Sequence, residues 1–308
     1  MYVTLFGVTT VLSEDQPAAI TEFGGGKPRE ILEILAVAGG APVAKDRLAE
    51  LLWDGTPPKS WVATLESYIS VLRRRLGCAP GRQSELATTT NGYRLDLTRV
   101  QVDVVRFRAL AAEAGRLPVQ ESLSVVDEAL ALASRELLAS EPTADWAQRE
   151  KDAFRSDLVR LAGHGAAAAL EVGDFDAAGG YASIMTEHDA INEVGWQQLM
   201  VARWRGGRRS DALRAYAELR TVLADELGVD PSGQSRDLYM EILRDEPTSD
   251  EVAGEQRMEI KMLTDLLRQC LDTLGSSADS EVADAWSRAQ RGLHDFERAL
   301  TPAAATAA

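Results

Sequence analysis

The stretch FGGGKPREIL (Phe23–Leu32) places three glycines and a lysine directly before an apolar run that is typical of a helix. Glycine-rich loops of this kind can hold phosphate groups, because the amides of a helix N-terminus and a lysine attract anions. A nucleotide-binding loop needs GxxxxGK followed by Ser or Thr, whereas Lys27 is followed by Pro28. Pro28 suits the first helical position, so we interpret the segment as a turn into a helix. Lys27 and Arg29 are then candidate phosphate contacts, and an ATP-binding loop stays open as the weaker alternative.

The segment Lys59–Leu76 repeats leucine or isoleucine at positions 65, 69, 72 and 76, which predicts a helix with one apolar face that ends at Gly77. The opposite face carries small and polar side chains, with arginines toward the C-terminal end. Small side chains let a helix enter the DNA major groove deeply enough to read base edges. An ordinary solvent-exposed face is the alternative. The candidate DNA contacts on this face are Lys59, Ser60, Ala63, Thr64, Ser67, Ser70, Val71, Arg73 and Arg74.

A hairpin is predicted in LATTTNGYRLDL (Leu86–Leu97), because Asn-Gly between two strand-like runs favours a tight two-residue turn. Hydroxyl and backbone N–H groups at its tip could hold phosphates or enter a minor groove. Tyr93 is expected in the core instead. The candidate DNA contacts on this hairpin are Thr89, Thr90, Asn91, Gly92 and Arg94.

The charge of the chain is divided unevenly between its two parts. Residues 1–100 hold 11 Lys and Arg against 11 Asp and Glu, whereas residues 101–308 hold the other 22 basic and 37 acidic side chains. The net charge of −15 therefore belongs entirely to the C-terminal part. Only the N-terminal third is suited to bind a polyanion such as DNA.

Residues suited to catalysis or metal binding are sparse. The histidines His164, His188 and His294 do not stand at metal-ligand spacing from Cys, Asp or Glu, and GxSxG, HExxH and CxxC do not occur. Two cysteines, Cys78 and Cys270, stand far apart, which indicates a reducing compartment without a disulfide framework. No apolar run approaches the ~20 residues of a membrane span. We expect a cytoplasmic protein with no catalytic residue, no metal, no cofactor and no membrane partner.

The elements that would position these groups follow a definite order in the first 100 residues. Tyr2–Val11 resembles a strand, helices are predicted at Lys27–Ala38, Ala44–Leu52 and Lys59–Leu76, and the hairpin follows. This is the order of a winged helix-turn-helix domain of the type used by two-component response regulators. The third helix would be its recognition helix and the hairpin its wing.

Beyond Val102 the sequence is rich in Ala, Leu, Arg and Glu with helical periodicity, so the fold is mainly α with small β elements. Gly173 and Gly207 are 34 residues apart, as are Ala178 and Ala212. This period is typical of tetratricopeptide repeats, in which small residues let paired helices touch. We predict a winged helix at 1–100, an all-α tetratricopeptide-like domain at 101–246, and a linker with C-terminal helices at 247–308.

Two parts of the sequence resemble the Streptomyces antibiotic regulatory protein family. KPREILEILAVAGGAPVAKDRLAELLWDGTPPKSWVATLESYISVLRRRLG and TTTNGYRL resemble its DNA-binding domain. VDVVRFRALAAEA and AYAELRTVLADELGVDPS resemble the bacterial transcriptional activation domain that follows it. The likeness covers about residues 1–246 in the family's domain order. It departs from the usual pattern at the start of the third helix, where KSWVATLES contains the bulky Trp61.

The resemblance implies a transcriptional activator that binds direct repeats in double-stranded promoter DNA as a homodimer and helps recruit RNA polymerase holoenzyme. It also implies control of a biosynthetic gene cluster, such as one for an antibiotic. The segment between the second and third helices would contact polymerase through Trp53, Asp54, Gly55 and Thr56. An interaction scaffold, in which the repeat domain binds protein and the winged helix only docks, stays open as the alternative.

Overall fold

The computed structural model describes residues 1–13 and 19–245 of the 308-residue chain. The helices predicted beyond residue 247, together with Cys270 and His294, lie outside the described residues. Within the described ranges, no helix combines the length and the apolar content that crossing a membrane requires.

The N-terminal part of the chain folds into two small sheets around three helices. Its elements are β1 (Tyr2–Thr4), β2 (Thr10–Leu12), α1 (Gly26–Val37), β3 (Val43–Ala44), α2 (Lys45–Leu52), α3 (Trp61–Leu76), β4 (Leu86–Thr88), β5 (Gly92–Leu95) and β6 (Gln101–Val102). The four apolar positions of α3 are each at most 4% exposed, and burying such a side chain stabilises the fold by about 1.5–3 kcal/mol. Gly77 ends α3 with a φ of 70°, as predicted, and its N–H donates to the carbonyl of Arg73.

The two sheets are each built around a central strand. In the first sheet, β1 pairs antiparallel with β2 and parallel with β6. In the second sheet, β5 pairs antiparallel with both β3 and β4. Since residues 101–102 complete the first sheet, the chain enters the helical part directly from the winged helix. The order of elements confirms the predicted winged helix-turn-helix fold.

Two predicted features of the N-terminal segment differ from the structure. The single strand predicted over Tyr2–Val11 is two antiparallel strands, because Gly7 turns the chain between them with a φ of 90°. Helix α1 begins at Gly26, so Pro28 occupies the third helical position instead of the first. The missing N–H of Pro28 is still harmless there, because amides in the first turn of a helix have no intrahelical partner.

Helix α3 is shorter at its start than the sequence predicts. It begins at Trp61, because Ser60 is its N-cap residue and the carbonyl of Ser60 accepts the first helical hydrogen bond from the Thr64 N–H. Lys59 and Ser60 therefore lie in an exposed turn before the helix. They do not belong to the face of the helix on which the sequence placed them.

The rest of the described chain is helical. Its elements are α4 (Asp103–Ala114), α5 (Val119–Leu132), α6 (Asp145–Val172), α7 (Phe175–His188), α8 (Glu193–Arg205), α9 (Arg209–Leu227) and α10 (Gly233–Arg244). Gly173 and Gly207 occupy equivalent turns, after α6 and after α8, with φ of 79° and 74°. Ala178 and Ala212 each stand fourth in their helices and are fully buried. The 34-residue period is thus a repeat of helix pairs, which confirms the tetratricopeptide-like prediction.

The winged helix and the helical part share one apolar core. Phe6 from the N-terminal sheet, Phe107 from α4 and Phe154 from α6 form an aromatic cluster, with ring centroids 5.2 Å apart between Phe6 and Phe154. The buried Asp103 carboxylate accepts the N–H groups of Leu5 and Phe6 at 2.8 and 3.0 Å. These contacts tie the start of the helical part to the first sheet.

Candidate nucleic-acid interface

The outer face of α3 consists of Ala63, Ser67, Ser70 and Arg74, which recur at helical spacing opposite the buried stripe. All four side chains are exposed. The Ser70 hydroxyl donates back to the helix carbonyl of Glu66 at 2.8 Å, which keeps this side chain close to the helix. Three short side chains followed by an arginine leave room for a base edge to approach the helix backbone.

Other predicted residues lie beside this face with less freedom. Thr64 and Val71 are half-buried, and the Thr64 hydroxyl donates to the carbonyl of Ser60 at 3.1 Å. Val71 packs against Gly24 in the glycine segment (Gly24–Gly26), since a Cβ on Gly24 would stand only 2.4 Å from the Cγ1 of Val71. Lys59, in the turn before the helix, is exposed.

Arg73 connects α3 to the wing. Its guanidinium donates to the Leu86 carbonyl at 2.8 Å and to the Thr88 hydroxyl at 2.7 Å. The same guanidinium lies over the Tyr93 ring, 5.8 Å from the centroid. Since most of its planar donor set faces β4, Arg73 fixes the position of the wing relative to α3.

Two basic residues near the outer face were missed by sequence reasoning. Arg75 is exposed, and within the described residues neither it nor Arg74 has an ion-pair partner. Lys45 donates to Glu66 Oε1 at 2.6 Å, and this hydrogen bond raises the pKa of Lys45. Arg75 could have been found by extending the helical wheel by one residue. The Lys45–Glu66 pair joins two helices and has no local sequence signal.

The tip of the wing consists of Thr89, Thr90 and Asn91. Thr90 and Asn91 are exposed, whereas Thr89 is half-buried and its N–H donates to the Gly92 carbonyl at 2.9 Å. Arg94, on the outgoing strand, is half-buried. The exposed amide and hydroxyl groups at the tip can contact phosphate oxygens or a groove edge.

Gly92 and Tyr93 anchor the wing to the rest of the domain. A Cβ on Gly92 would stand 1.9 Å from the Val43 carbonyl oxygen, so only glycine allows β5 to approach β3 this closely. Gly92 is buried by that pairing. Tyr93 is 4% exposed, which confirms its predicted place in the core.

The connection between α2 and α3 presents a short exposed turn. Trp53 is half-buried and stacks on Tyr68, with centroids 6.5 Å apart. Asp54 has a φ of 48° and Gly55 a φ of 79°, and the Thr56 hydroxyl donates to the Trp53 carbonyl at 3.0 Å. Of the four residues predicted to contact polymerase, Trp53 therefore anchors the turn, while Asp54, Gly55 and Thr56 are exposed.

The cations at the start of α1 are engaged within the protein. Lys27 Nζ donates to Glu30 Oε2 at 2.7 Å and to the Leu52 carbonyl at the end of α2. Arg29 donates to Glu141 Oε1, from the helical part, at 2.7 Å. The two side chains that a bound phosphate would need thus already have anionic partners.

The features that could suggest catalysis have structural explanations. Burial raises the pKa of the Cys78 thiol to about 11, which makes it a poor nucleophile at neutral pH. The Gly-His-Gly sequence lies inside α6, where a Cβ on Gly165 would stand 2.9 Å from Val126 and 3.1 Å from Tyr181. Across residues 1–13 and 19–245, no group of three or more His, Cys, Asp and Glu is arranged to hold a metal ion.

Known proteins share both parts of this architecture. Residues 102–243 match the family model described as "Bacterial transcriptional activator domain". The chain is 30% identical over 234 residues to the regulatory protein DnrI of Streptomyces peucetius, covering 73% of this chain and 86% of that protein. It is 32% identical over 235 residues to the transcriptional regulatory protein EmbR of Mycobacterium tuberculosis, covering 73% and 59%. It is 30% identical over 225 residues to the regulatory protein AfsR of Streptomyces griseus, covering 72% of this chain and 22% of that protein.

A solved structure of Mycobacterium tuberculosis EmbR, in complex with a low affinity phosphopeptide, is similar to this one with a TM-score of 0.65. The sequences are 27% identical, and the likeness covers 86% of this chain and 70% of that chain. A winged helix followed by a bacterial transcriptional activator domain defines a class of transcriptional regulators. The chain belongs to the Streptomyces antibiotic regulatory protein family of transcriptional activators, as the sequence motifs indicated.

Proposed function

We propose that this protein is a sequence-specific activator that binds direct repeats in promoter DNA and helps recruit RNA polymerase holoenzyme to a biosynthetic gene cluster. The observation that carries the proposal is the outer face of α3, with exposed short side chains and one unpaired arginine opposite a buried stripe. A helix that reads bases in the major groove needs both properties. The protein would act in the cytoplasm, where promoter DNA lies.

The geometry suggests that different elements of the interface would contact different parts of the DNA. The outer face of α3 would enter the major groove, with Arg74 donating to a guanine edge. Lys59, before the helix, and Arg75, near its end, would contact phosphates on either side. Thr90 and Asn91 would let the wing hold the neighbouring backbone or minor groove.

The arrangement of two copies of the protein on DNA follows from the proposed direct repeats, here called the operator. Direct repeats present two half-sites in the same orientation, so two copies of the protein would bind head to tail and not about a two-fold axis. The acidic helical part would stand away from the DNA, because its charge repels phosphates. The 11 basic and 11 acidic residues of the first 100 leave the winged helix without such net repulsion.

The exposed turn between α2 and α3 is the proposed polymerase contact. Asp54, Gly55 and Thr56 stand out from an anchor formed by Trp53 and Tyr68, so the turn has a defined shape before any partner arrives. The variant Asp54→Ala should retain promoter affinity and lose activation in a reconstituted transcription assay. Loss of both properties together would mean that the turn supports the fold and not a polymerase contact.

The decisive experiment is footprinting of the full chain on DNA upstream of its own and neighbouring genes at two salt concentrations. We expect protection of a pair of direct repeats, with the logarithm of the affinity falling by about 0.9 per phosphate contact for each tenfold rise in salt. Arg160→Ala, an exposed arginine of the helical part, is the matched control and should leave the footprint unchanged. Absence of protection at every such promoter would favour the interaction-scaffold alternative.

A further inference from the structure

Two carboxyl groups from different parts of the chain face one arginine in a buried site. Glu33 on α1 has a fully buried side chain, and Glu141, which precedes α6, is 14% exposed. Arg29 lies between them, with Nη2 at 2.7 Å from Glu141 Oε1 and Nε at 3.5 Å from Glu33 Oε1. One cation does not neutralise two carboxylates, so full ionisation of this site is unfavourable.

One oxygen of Glu33 lacks a donor. The Thr9 hydroxyl donates to Glu33 Oε1, but Oε2 is buried and has no hydrogen-bond partner among residues 1–13 and 19–245. A buried carboxylate oxygen in that state carries a desolvation cost. A protonated carboxyl lowers this cost, because a neutral O–H group is less unfavourable to bury than a carboxylate. Glu141, which pairs with the same arginine, favours that form by raising the pKa of Glu33.

The electrostatic surroundings of Glu33 favour the protonated form. Burial is the largest cause and raises its pKa to about 8, the Thr9 hydrogen bond and Arg29 lower it, and Glu141 raises it further. The charged groups that face Glu33 are thus Arg29 from its own helix and Glu141 from the helical part. Glu30, one turn away, is already paired with Lys27 at 2.7 Å.

The site lies on the contact between the winged helix and residues 136–141, here called the interdomain segment. The Leu138 N–H donates to the Leu5 carbonyl at 2.8 Å, and the Gly7 N–H donates to the Glu136 carbonyl at 2.8 Å. The Ser140 hydroxyl accepts the Thr9 N–H at 3.1 Å. Separation of this segment would expose Glu33 to water.

We infer that the buried Glu33 carboxyl holds a proton at the interdomain contact beside Glu141, and that losing this proton releases the interdomain segment from the winged helix. Beyond DNA binding, this makes the docking of the two parts sensitive to pH. The effect would reach the proposed polymerase contact through three hydrogen bonds. Trp146 Nε1 on α6 donates to Glu30 at 3.1 Å, and Lys27 links Glu30 to the end of α2.

The direction of the pH effect follows from proton linkage. In the docked state the pKa of Glu33 is about 8, and in the separated state it returns toward 4.5. Between these values the docked state holds the extra proton, so raising the pH favours separation. The equilibrium constant for separation should rise by about tenfold per pH unit well below the docked-state pKa, by about 50-fold from pH 6 to pH 8, and level off above that pKa.

Hydrogen exchange of the full chain tests this inference at the amides of Gly7 and Leu138, whose acceptors lie across the contact. After correction for the intrinsic pH dependence of exchange, their protection should fall by about 50-fold from pH 6 to pH 8. Amides within α8 should stay protected, which separates local release from global unfolding.

Glu33→Gln mimics the protonated form and should abolish the pH dependence of the protection while keeping the protection itself. Glu128→Gln, at an exposed pair with Arg106, should behave as the unchanged chain does.

A second variant keeps the test decisive if Glu33→Gln does not fold. Glu141→Gln removes a charge that raises the pKa of Glu33, so the fall in protection should level off at a lower pH. A purely structural role of Glu141 would lower protection equally at every pH. Protection that is independent of pH in the unchanged chain, or a slope that persists in Glu33→Gln, would overturn the inference.

Discussion

The outer face of α3 and the start of α1 both carry basic side chains that the sequence predicts as DNA contacts, yet the structure uses them differently. Arg74 on α3 is exposed and has no ion-pair partner within the described residues. Lys27 and Arg29 on α1 are paired with Glu30 and Glu141. A basic side chain is therefore available to a ligand only where the fold places no anion opposite it.

The cause of the difference lies in what surrounds each helix. Helix α1 packs between α2, α3 and the helical part, and it carries two buried carboxyl groups, Glu30 and Glu33. Buried carboxyl groups need donors or cations, so neighbouring basic side chains are drawn to them. The outer face of α3 points away from the core, and among the described residues no carboxylate pairs with Arg74 or Arg75.

The two regions should differ most in how much a tryptophan contributes to the free energy of unfolding. Trp146 is 5% exposed and donates to Glu30 beside α1, so Trp146→Ala should lower the free energy of unfolding by about 3–5 kcal/mol. Trp61 is half-buried at the start of α3, and Trp61→Ala should cost only about 1 kcal/mol. Urea unfolding followed by circular dichroism measures both. Equal losses would contradict the view that the region beside α1 is structural and α3 presents the functional face.

Sequence reasoning found the features whose signal is local. The stripe of α3, the cap at Gly77, the hairpin of β4 and β5 and the 34-residue period each depend on residues within one element or one repeat. The predicted Asn91-Gly92 turn was wrong in position, because Gly92 already belongs to β5 and the turn falls at Thr90 and Asn91. Hydrophobic spacing and turn chemistry act over a few residues, so they can be read without the fold. The positions of Ser67, Ser70 and Arg74 on the exposed face followed from the same periodicity.

Sequence reasoning did not find the contacts between distant segments. Arg29 meets Glu141 across 112 residues, and Trp146 meets Glu30 across 116. The parallel pairing of β1 with β6 is of the same kind, since it joins residues 2–3 to residues 101–102. Such partners leave no pattern in either segment alone. That is why Arg29 was interpreted as free to meet phosphate. The Lys27–Glu30 pair, three residues apart on one helix, did have a local signal and was overlooked.

Two arginine variants should have smaller and opposite effects, one on DNA affinity and the other on stability. Arg74→Ala should lower operator affinity by about 1–3 kcal/mol if Arg74 reads a base, and should change stability by no more than about 0.5 kcal/mol, as expected for an exposed site. Arg29→Ala should do the reverse. It should cost about 2 kcal/mol of stability, less than the ~3–5 kcal/mol for a fully buried pair because Arg29 is a third exposed.

Fluorescence anisotropy with operator DNA and urea unfolding give the two measurements for each variant. Arg160→Ala again serves as the control, because it removes an exposed arginine of α6 that belongs to neither region. If Arg29→Ala weakened operator binding as much as Arg74→Ala without destabilising the protein, the start of α1 would belong to the interface.

The smallest expected effect concerns the salt dependence of binding, which counts phosphate contacts independently of base reading. Arg75→Ala should reduce the slope of log affinity against log salt by about 0.9 if its guanidinium contacts one phosphate. Lys27→Ala should leave the slope unchanged, because its ammonium stays with Glu30 and the Leu52 carbonyl. Both variants are compared on operator and scrambled DNA over a series of salt concentrations, since a phosphate contact acts equally on the two.

A reduced slope for Lys27→Ala would mean that this lysine leaves Glu30 when DNA arrives. The carboxylate would then lose its cation on binding, and the glycine segment would be a phosphate contact after all.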